Sequence, residues 1–182
     1  MRWEGMTVCC IASGPSLRAE DCLAVQHARL PAIAVNSSWK LARFCDVIYA
    51  GDAAWWEFYG AEIDIPAERW SCSRHAERYG AMHHKAKGGA YNSGMRAIEF
   101  AIEAGAVRVL LLGYDCSVSS GTHWHGDHSK TKNPDGSRCN EWARQFSRMH
   151  LGGVEVINCS RSTALTCFPR MSLEKAICSF AG

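Results

Sequence analysis

No segment of this sequence approaches the length of a membrane span: Val109 to Leu112 is among its most apolar runs, and a span needs about 20 such residues. The N-terminal stretch lacks the basic, apolar and small-residue order of a signal peptide. Both absences point to a cytoplasmic protein with no membrane partner. Strong charge of either sign is missing too. Twenty Lys and Arg stand against 18 Asp and Glu, a formal charge of +2, so a nucleic-acid partner has no electrostatic support. Among ten cysteines there is no CxxC spacing. Cys9, Cys10, Cys45 and Cys159 lie in or beside apolar runs and read as buried free thiols in a reducing compartment, not as a disulfide framework or a structural zinc site. No repeat, low-complexity tract or linker interrupts the chain. Its 182 residues, 47% hydrophobic and 21% charged, make one domain around one core.

What is present is an alternation of short apolar runs with helical segments. Met6 to Ser13 reads as a strand that stops at Gly14-Pro15-Ser16, and Ser16 to Arg29 as a helix with Leu17, Val25 and Ala28 inward. Ala32 to Val35 and Asp46 to Ala50 are further strands, stopped at Asn36 and at Gly51-Asp52. Trp55 to Lys87 carries a strand at Arg69 to Cys72 and a His/Lys stretch up to Gly88-Gly89. Asn92-Ser93-Gly94 opens a helix through Ala104, with Met95, Ile98 and Ile102 at helical spacing and Gly105 as its stop. Val107 to Leu112 is the clearest buried strand, ending at Gly113-Tyr114-Asp115. Arg138 to His150 reads as a helix, Gly153 to Asn158 as a last strand, and Ser172 to Cys178 as a closing helix with Glu174 as capping partner. The expected fold is α/β over residues 1–182: a Rossmann-like, mostly parallel open sheet flanked by helices. The polar, His-containing loop at about 116–137 is too long for a routine connection and is expected as a lid over the strand carboxyl ends.

In such a sheet, ligands bind beyond the carboxyl ends of the strands. The residues expected there are Ser13, Gly14, Pro15, Ser16, Asn36, Asp52, Asn92, Ser93, Gly94 and Asp115. Glycines let backbone amides approach a phosphate, a helix beginning near Ser16 favours its charge, and the Asp115 carboxylate can accept ribose hydroxyl protons. The set suits a nucleotide, although the same residues also serve simply to terminate strands.

Thr122 to His128 reads THWHGDH. Its H-x-H-x-D-H pattern is similar to the zinc-ligand signature of metallo-β-lactamase-type hydrolases, in which imidazoles bind metal and activate water. That fold needs further ligands downstream. After Asp135 there is no Asp, and the one later histidine, His150, falls in an expected helix. A smaller zinc site from His123, His125, Asp127 and His128 alone remains an alternative.

A second reading comes from several blocks taken together. IASGPSL at Ile11 to Leu17, Val35-Asn36, the strand end at Val47 to Asp52, Asn92-Ser93-Gly94, Leu112-Gly113-Tyr114-Asp115 and Asp127-His128-Ser129-Lys130 resemble, in order and approximate spacing, blocks of the bacterial sialyltransferases of glycosyltransferase family 42. The GPSL and later sheet motifs are also similar to archaeal hydroxymethyldihydropterin pyrophosphokinases and to uncharacterised phage and prophage proteins. The resemblance implies a CMP-sugar donor, with Gly14-Pro15-Ser16, Asn36 and Ser93-Gly94 around the CMP and Asp115 near its ribose. It makes His128 the general base for an inverting transfer that needs no metal cofactor. Ser13 stands where the sialyltransferases have Asn, and Ser117 where they have a phosphate-stabilising Tyr; Ser117, Trp124 and Lys130 are then the candidates for phosphate or acceptor contact. The pyrophosphokinase branch implies ATP and Mg²⁺ instead, and a non-catalytic nucleotide-binding phage protein is a third alternative. The acceptor is unspecified, and a homo-oligomer is compatible with every reading.

Other residues read more plainly. One of Trp55 and Trp56 is expected in the core with the other covering its edge, His83 to Lys87 as a solvated basic loop, and Phe168-Pro169-Arg170 as docking the C-terminal segment. Lys130, Lys132, Arg138 and Arg144 flank the lid as candidates for an anionic ligand.

Overall fold

The computed structural model describes residues 1–87 and 89–179, so Gly88 of the expected Gly88-Gly89 turn and the last three residues of the expected domain lie outside the described residues. Seven strands form one sheet, all parallel: β1 (Thr7–Ile11), β2 (Ala32–Val35), β3 (Val47–Tyr49), β4 (Glu68–Ser71), β5 (Met82–His83), β6 (Arg108–Leu112) and β7 (Glu155–Asn158). Their spatial order is β5-β4-β3-β2-β1-β6-β7. The chain therefore starts at a central strand, winds outward through β5, then crosses back to the other side of β1. The switch point lies between β1 and β6, where Ile11 is paired with Leu112. This is an α/β, Rossmann-like fold.

The apolar runs are nearly continuous because both faces of the sheet are covered. Alternate residues serve opposite layers. Cys9, Ile11, Ala34, Ile48, Leu110 and Leu112 face α1 (Ala19–His27), α2 (Ala53–Tyr59) and α5 (Leu173–Cys178), meeting Val25, Trp55, Trp56 and Leu173. Val8, Cys10, Ile33, Tyr49, Val109 and Leu111 face α3 (Ser93–Glu103) and α4 (Gly136–Phe146), meeting Met95, Ile98, Phe100 and Phe146. Each fully buried Leu or Ile contributes about 1.5–3 kcal/mol. The ten cysteines are free thiols. Burial pushes Cys45 and Cys159 up to about 12, and Cys9 and Cys10 higher still, so these four are unreactive small hydrophobes. No helix among the described residues is long and apolar enough to cross a membrane.

Several boundaries differ from the sequence expectation, each for a local reason. Helix α1 starts at Ala19, not at Ser16: Leu17 N–H closes a turn on Gly14 O at 3.1 Å, and Ser16 is bound elsewhere. Asp21 accepts from the Arg18 amide at 3.0 Å and pairs with Arg161 at 2.8 Å, so a carboxylate already occupies the position at which a phosphate was expected. Helix α4 begins at Gly136 because Asp135 caps it by accepting from Arg138 N–H at 2.8 Å. It ends at Phe146, short of His150. In α5, Ser172 accepts from Lys175 N–H at 3.3 Å, so Lys175 holds the position of a capping-box acid and Glu174 falls one residue early. The middle segment holds a 3-10 turn at Arg74–Tyr79 and then β5.

Candidate functional site: a strand-end cleft with a histidine cluster

The ends of β1 and β6 come together more closely than side chains allow. Gly14 N–H donates to Gly113 O at 2.8 Å, and a Cβ on Gly14 would lie 2.4 Å from Asp115 Oδ1. A Cβ on Gly113, which has φ +67°, would lie 2.4 Å from Ala12 O. Asp115, 4% exposed, accepts from Ser16 N–H at 2.8 Å and from Ser16 Oγ–H at 2.6 Å. Burial still pushes its carboxyl above the ordinary value.

Beside this junction opens a cleft of about 920 Å³, large enough for a nucleotide. Of the residues expected from sequence, Ser13, Gly14, Asn36, Asp52, Asn92, Ser93, Gly94, Asp115, Ser117, Lys130 and His128 line it. Several of these side chains are already engaged. Asp52 caps α2 by accepting from Ala54 N–H at 3.0 Å, and Asn92 caps α3 by accepting from Met95 N–H at 2.9 Å. Ser93 Oγ accepts from Gly51 N–H at 3.0 Å. Asn36 adopts φ +50° at the end of β2, and its Oδ1 is buried with no hydrogen-bond partner.

Pro15, Ser16 and Trp124 do not line the cleft. Ser16 is drawn inward by Asp115, and Trp124 packs on the α1/α2 side of the sheet because its amide is anchored to Ser13 O at 2.9 Å. Trp55 and Trp56 are both buried, with Trp55 also reaching the cleft wall. His84 is not solvated: it is 6% exposed, joined to Tyr49 Oη at 2.7 Å and to Glu103 at 3.0 Å.

The loop after β6 brings three imidazoles together. His123, His125 and His128 each offer a ring nitrogen, all within 4.8 Å of one another. The rings of His123 and His125 stack at 5.2 Å, and His128 lies 4.6 and 4.8 Å from them. A tight turn makes this convergence: Gly126 N–H donates to His123 O at 3.1 Å, with Gly126 at φ +81°. Asn133 clamps the His128 backbone, accepting from its N–H at 2.8 Å and donating to its carbonyl at 3.0 Å. Asp127 does not join the cluster, since Thr122 Oγ1 donates to its carboxylate instead. The alternative four-residue metal set is therefore reduced to three histidines. His123 and His128 face the cleft while His125 sits behind them.

Burial, then the neighbouring rings, push His123 down to about 4. Burial also lowers His125, with Lys40 next, and lowers His128, with His125 and Lys40 next. Lys40, Asn133, Tyr91 and Trp142 belong to the site without having been singled out from sequence. Lys40 pairs with Glu62 at 2.7 Å, and Tyr91, Asn133 and Trp142 line the cleft. Only Asn133 carried a local signal, as an Asn before Pro134 in a polar loop.

Fold and site together define a Rossmann-like α/β protein with a histidine-bearing cleft at its topological switch point. No family model, no curated protein and no solved structure matches the chain.

Proposed function

We propose that the cleft binds a nucleotide or nucleotide-sugar and that the chain catalyses group transfer from it. The observation that carries this is the cleft itself, at the β1/β6 switch point, lined both by small residues and by histidines. Gly14, Gly113 and the first turn of α3 line it, where small residues and helix amides suit a phosphate, and Asn36 Oδ1 offers an acceptor to a base or ribose donor. His123 and His128 line it too, with His123 held beside the Gly14 turn through Ser13.

The transfer implied by the resemblance is from a CMP-sugar. The acceptor hydroxyl loses its proton to His128 and its oxygen forms a bond to the anomeric carbon. The bond from that carbon to the phosphate oxygen breaks, its electron pair leaves with CMP, and configuration inverts. Lys130 and Lys132 in the cleft wall offset the charge of the leaving phosphate. A Mg²⁺-dependent pyrophosphokinase-like reaction has less support, because Asp52 and Asp115, the carboxylates of the wall, already accept protein hydrogen bonds.

The test is calorimetric titration of metal-stripped protein with CMP, beside AMP, GMP, UMP and ATP. Selective CMP binding supports the reading. ATP binding that appears only with Mg²⁺ replaces it with the kinase-like one, and no binding to any nucleotide overturns it.

A further inference from the structure

The histidine cluster has a feature that proton transfer does not explain. Nε2 of His123 and Nε2 of His125 are both buried with no hydrogen-bond partner. A buried polar atom without a partner is destabilising, and the two rings that carry these atoms stack at 5.2 Å in the same loop. A single group able to accept several nitrogen lone pairs at once would satisfy both.

We propose that His123, His125 and His128 bind one divalent transition-metal ion of the zinc class, with an open coordination position on the cleft side. Ser13 Oγ lies 2.9 Å from His123 Nδ1, and when Nδ1–H donates to it the Nε2 lone pair is left for a metal. Asn133 fixes the His128 backbone, and the Thr122–Asp127 hydrogen bond spans the turn that holds the other two rings. Zinc–nitrogen bonds of about 2.0–2.1 Å separate tetrahedral ligands by about 3.4 Å. Ring nitrogens already within 4.8 Å close to that spacing by modest side-chain rotation.

Three neutral imidazoles with no carboxylate select zinc, cobalt, nickel or copper over magnesium or calcium. Lys40, whose charge reaches His125 and His128, is itself paired with Glu62 at 2.7 Å. Three protein ligands leave a fourth position for oxygen, as in catalytic rather than structural zinc sites. A water or acceptor hydroxyl there gives its proton to solvent near neutral pH and remains as a metal-held nucleophile. His128 would then be a ligand, and the ion would acidify the acceptor hydroxyl, whose proton goes to solvent and not to a free imidazole. Ion binding itself is independent of the nucleotide; only this role rests on the function proposed above.

The experiment is titration of chelator-stripped full-length protein with Co²⁺ alone, followed by visible absorption. One equivalent should produce the intense bands of a tetrahedral ion, without the near-ultraviolet thiolate band that cysteine ligation would add. Zn²⁺ should displace it. His125→Gln should weaken binding at least tenfold, and Ser13→Ala should weaken it about tenfold while shifting the visible bands, which a merely structural role would not do. Thermal melting confirms that each variant is folded, with His123→Gln as replacement where one is not. Absence of stoichiometric Co²⁺ binding overturns the proposal, as does binding that carries the thiolate band or survives loss of the histidines. Nucleotide titration of the same metal-free protein separates failure of the metal site from failure of the nucleotide site.

Discussion

Ser16 gives both its backbone amide and its hydroxyl proton to Asp115, 99 residues later in the chain, at 2.8 and 2.6 Å. The pair ties the turn after β1 to the turn after β6 and fixes Asp115 in the cleft wall. It also explains why glycine is required next to it.

Gly14→Ala places a methyl 2.4 Å from Asp115 Oδ1 and 2.5 Å from Gly113 O. Asp115 Oδ1 is held in place by Ser16 and Gly113 O is backbone, so the turn must open. The expected cost is about 1–3 kcal/mol in urea denaturation, with weaker nucleotide binding. A variant as stable as the wild type would show that the two turns separate easily.

Asp115 also predicts a pH dependence. Its carboxyl is raised by burial, against the pull of the Ser16 hydrogen bonds. Between the ordinary value of about 3.9 and the raised folded value, the folded chain holds a proton that the unfolded chain has released. The contribution of this group is therefore present at low pH and lost as pH rises through that window. Asp115→Asn does not titrate, so the stability of wild type minus that of the variant should fall with rising pH. Denaturant titrations across the acid range measure this, and a difference that grows with pH would mean that the site favours the ionised form.

The strand ends were legible because small and capping residues follow each apolar run: Ser13-Gly14, Asn36, Asp52 and Asn92 are where the sequence puts them, all on the cleft. Partnerships were not legible. Nothing near Ser16 announces Asp115, so the helix was expected to begin three residues early and Ser16 to face a ligand. His84 looked like one member of a basic run, yet it bridges Tyr49 on β3 and Glu103 on α3. In THWHGDH the histidines were plain but the turn was not; Gly126 at φ +81° gathers three of them and leaves Asp127 to Thr122.

The His84 relay is testable on its own. His84→Leu strands the Tyr49 hydroxyl beside an apolar group and should cost about 1–3 kcal/mol. Tyr49→Phe should then cost less in the His84→Leu background than in the wild type, because the hydroxyl has already lost its partner. Additive losses in a double-mutant cycle would mean that the two groups are not coupled.

Lys130 and Lys132 line the cleft, whereas Arg138, also in its wall, pairs with Glu141 at 2.9 Å. Replacing both lysines with Ala should weaken CMP about a hundredfold or more and leave cytidine unchanged, since each hydrogen bond to a charged group contributes about 1.5–3 kcal/mol. Calorimetry at two salt concentrations checks it. Equal losses for CMP and cytidine would place the lysines away from the phosphate.

The sheet order also has a meaning for synthesis. Thr7–Ile11 is made before the other six strands and lies in the interior of the sheet, and one of its edges bonds to Arg108–Leu112. Until that later segment leaves the ribosome, an apolar strand keeps one row of amides and carbonyls unpaired, the template on which neighbouring chains associate. A nascent or truncated chain ending before Arg108 is thus an aggregation-prone fragment, not a smaller working domain.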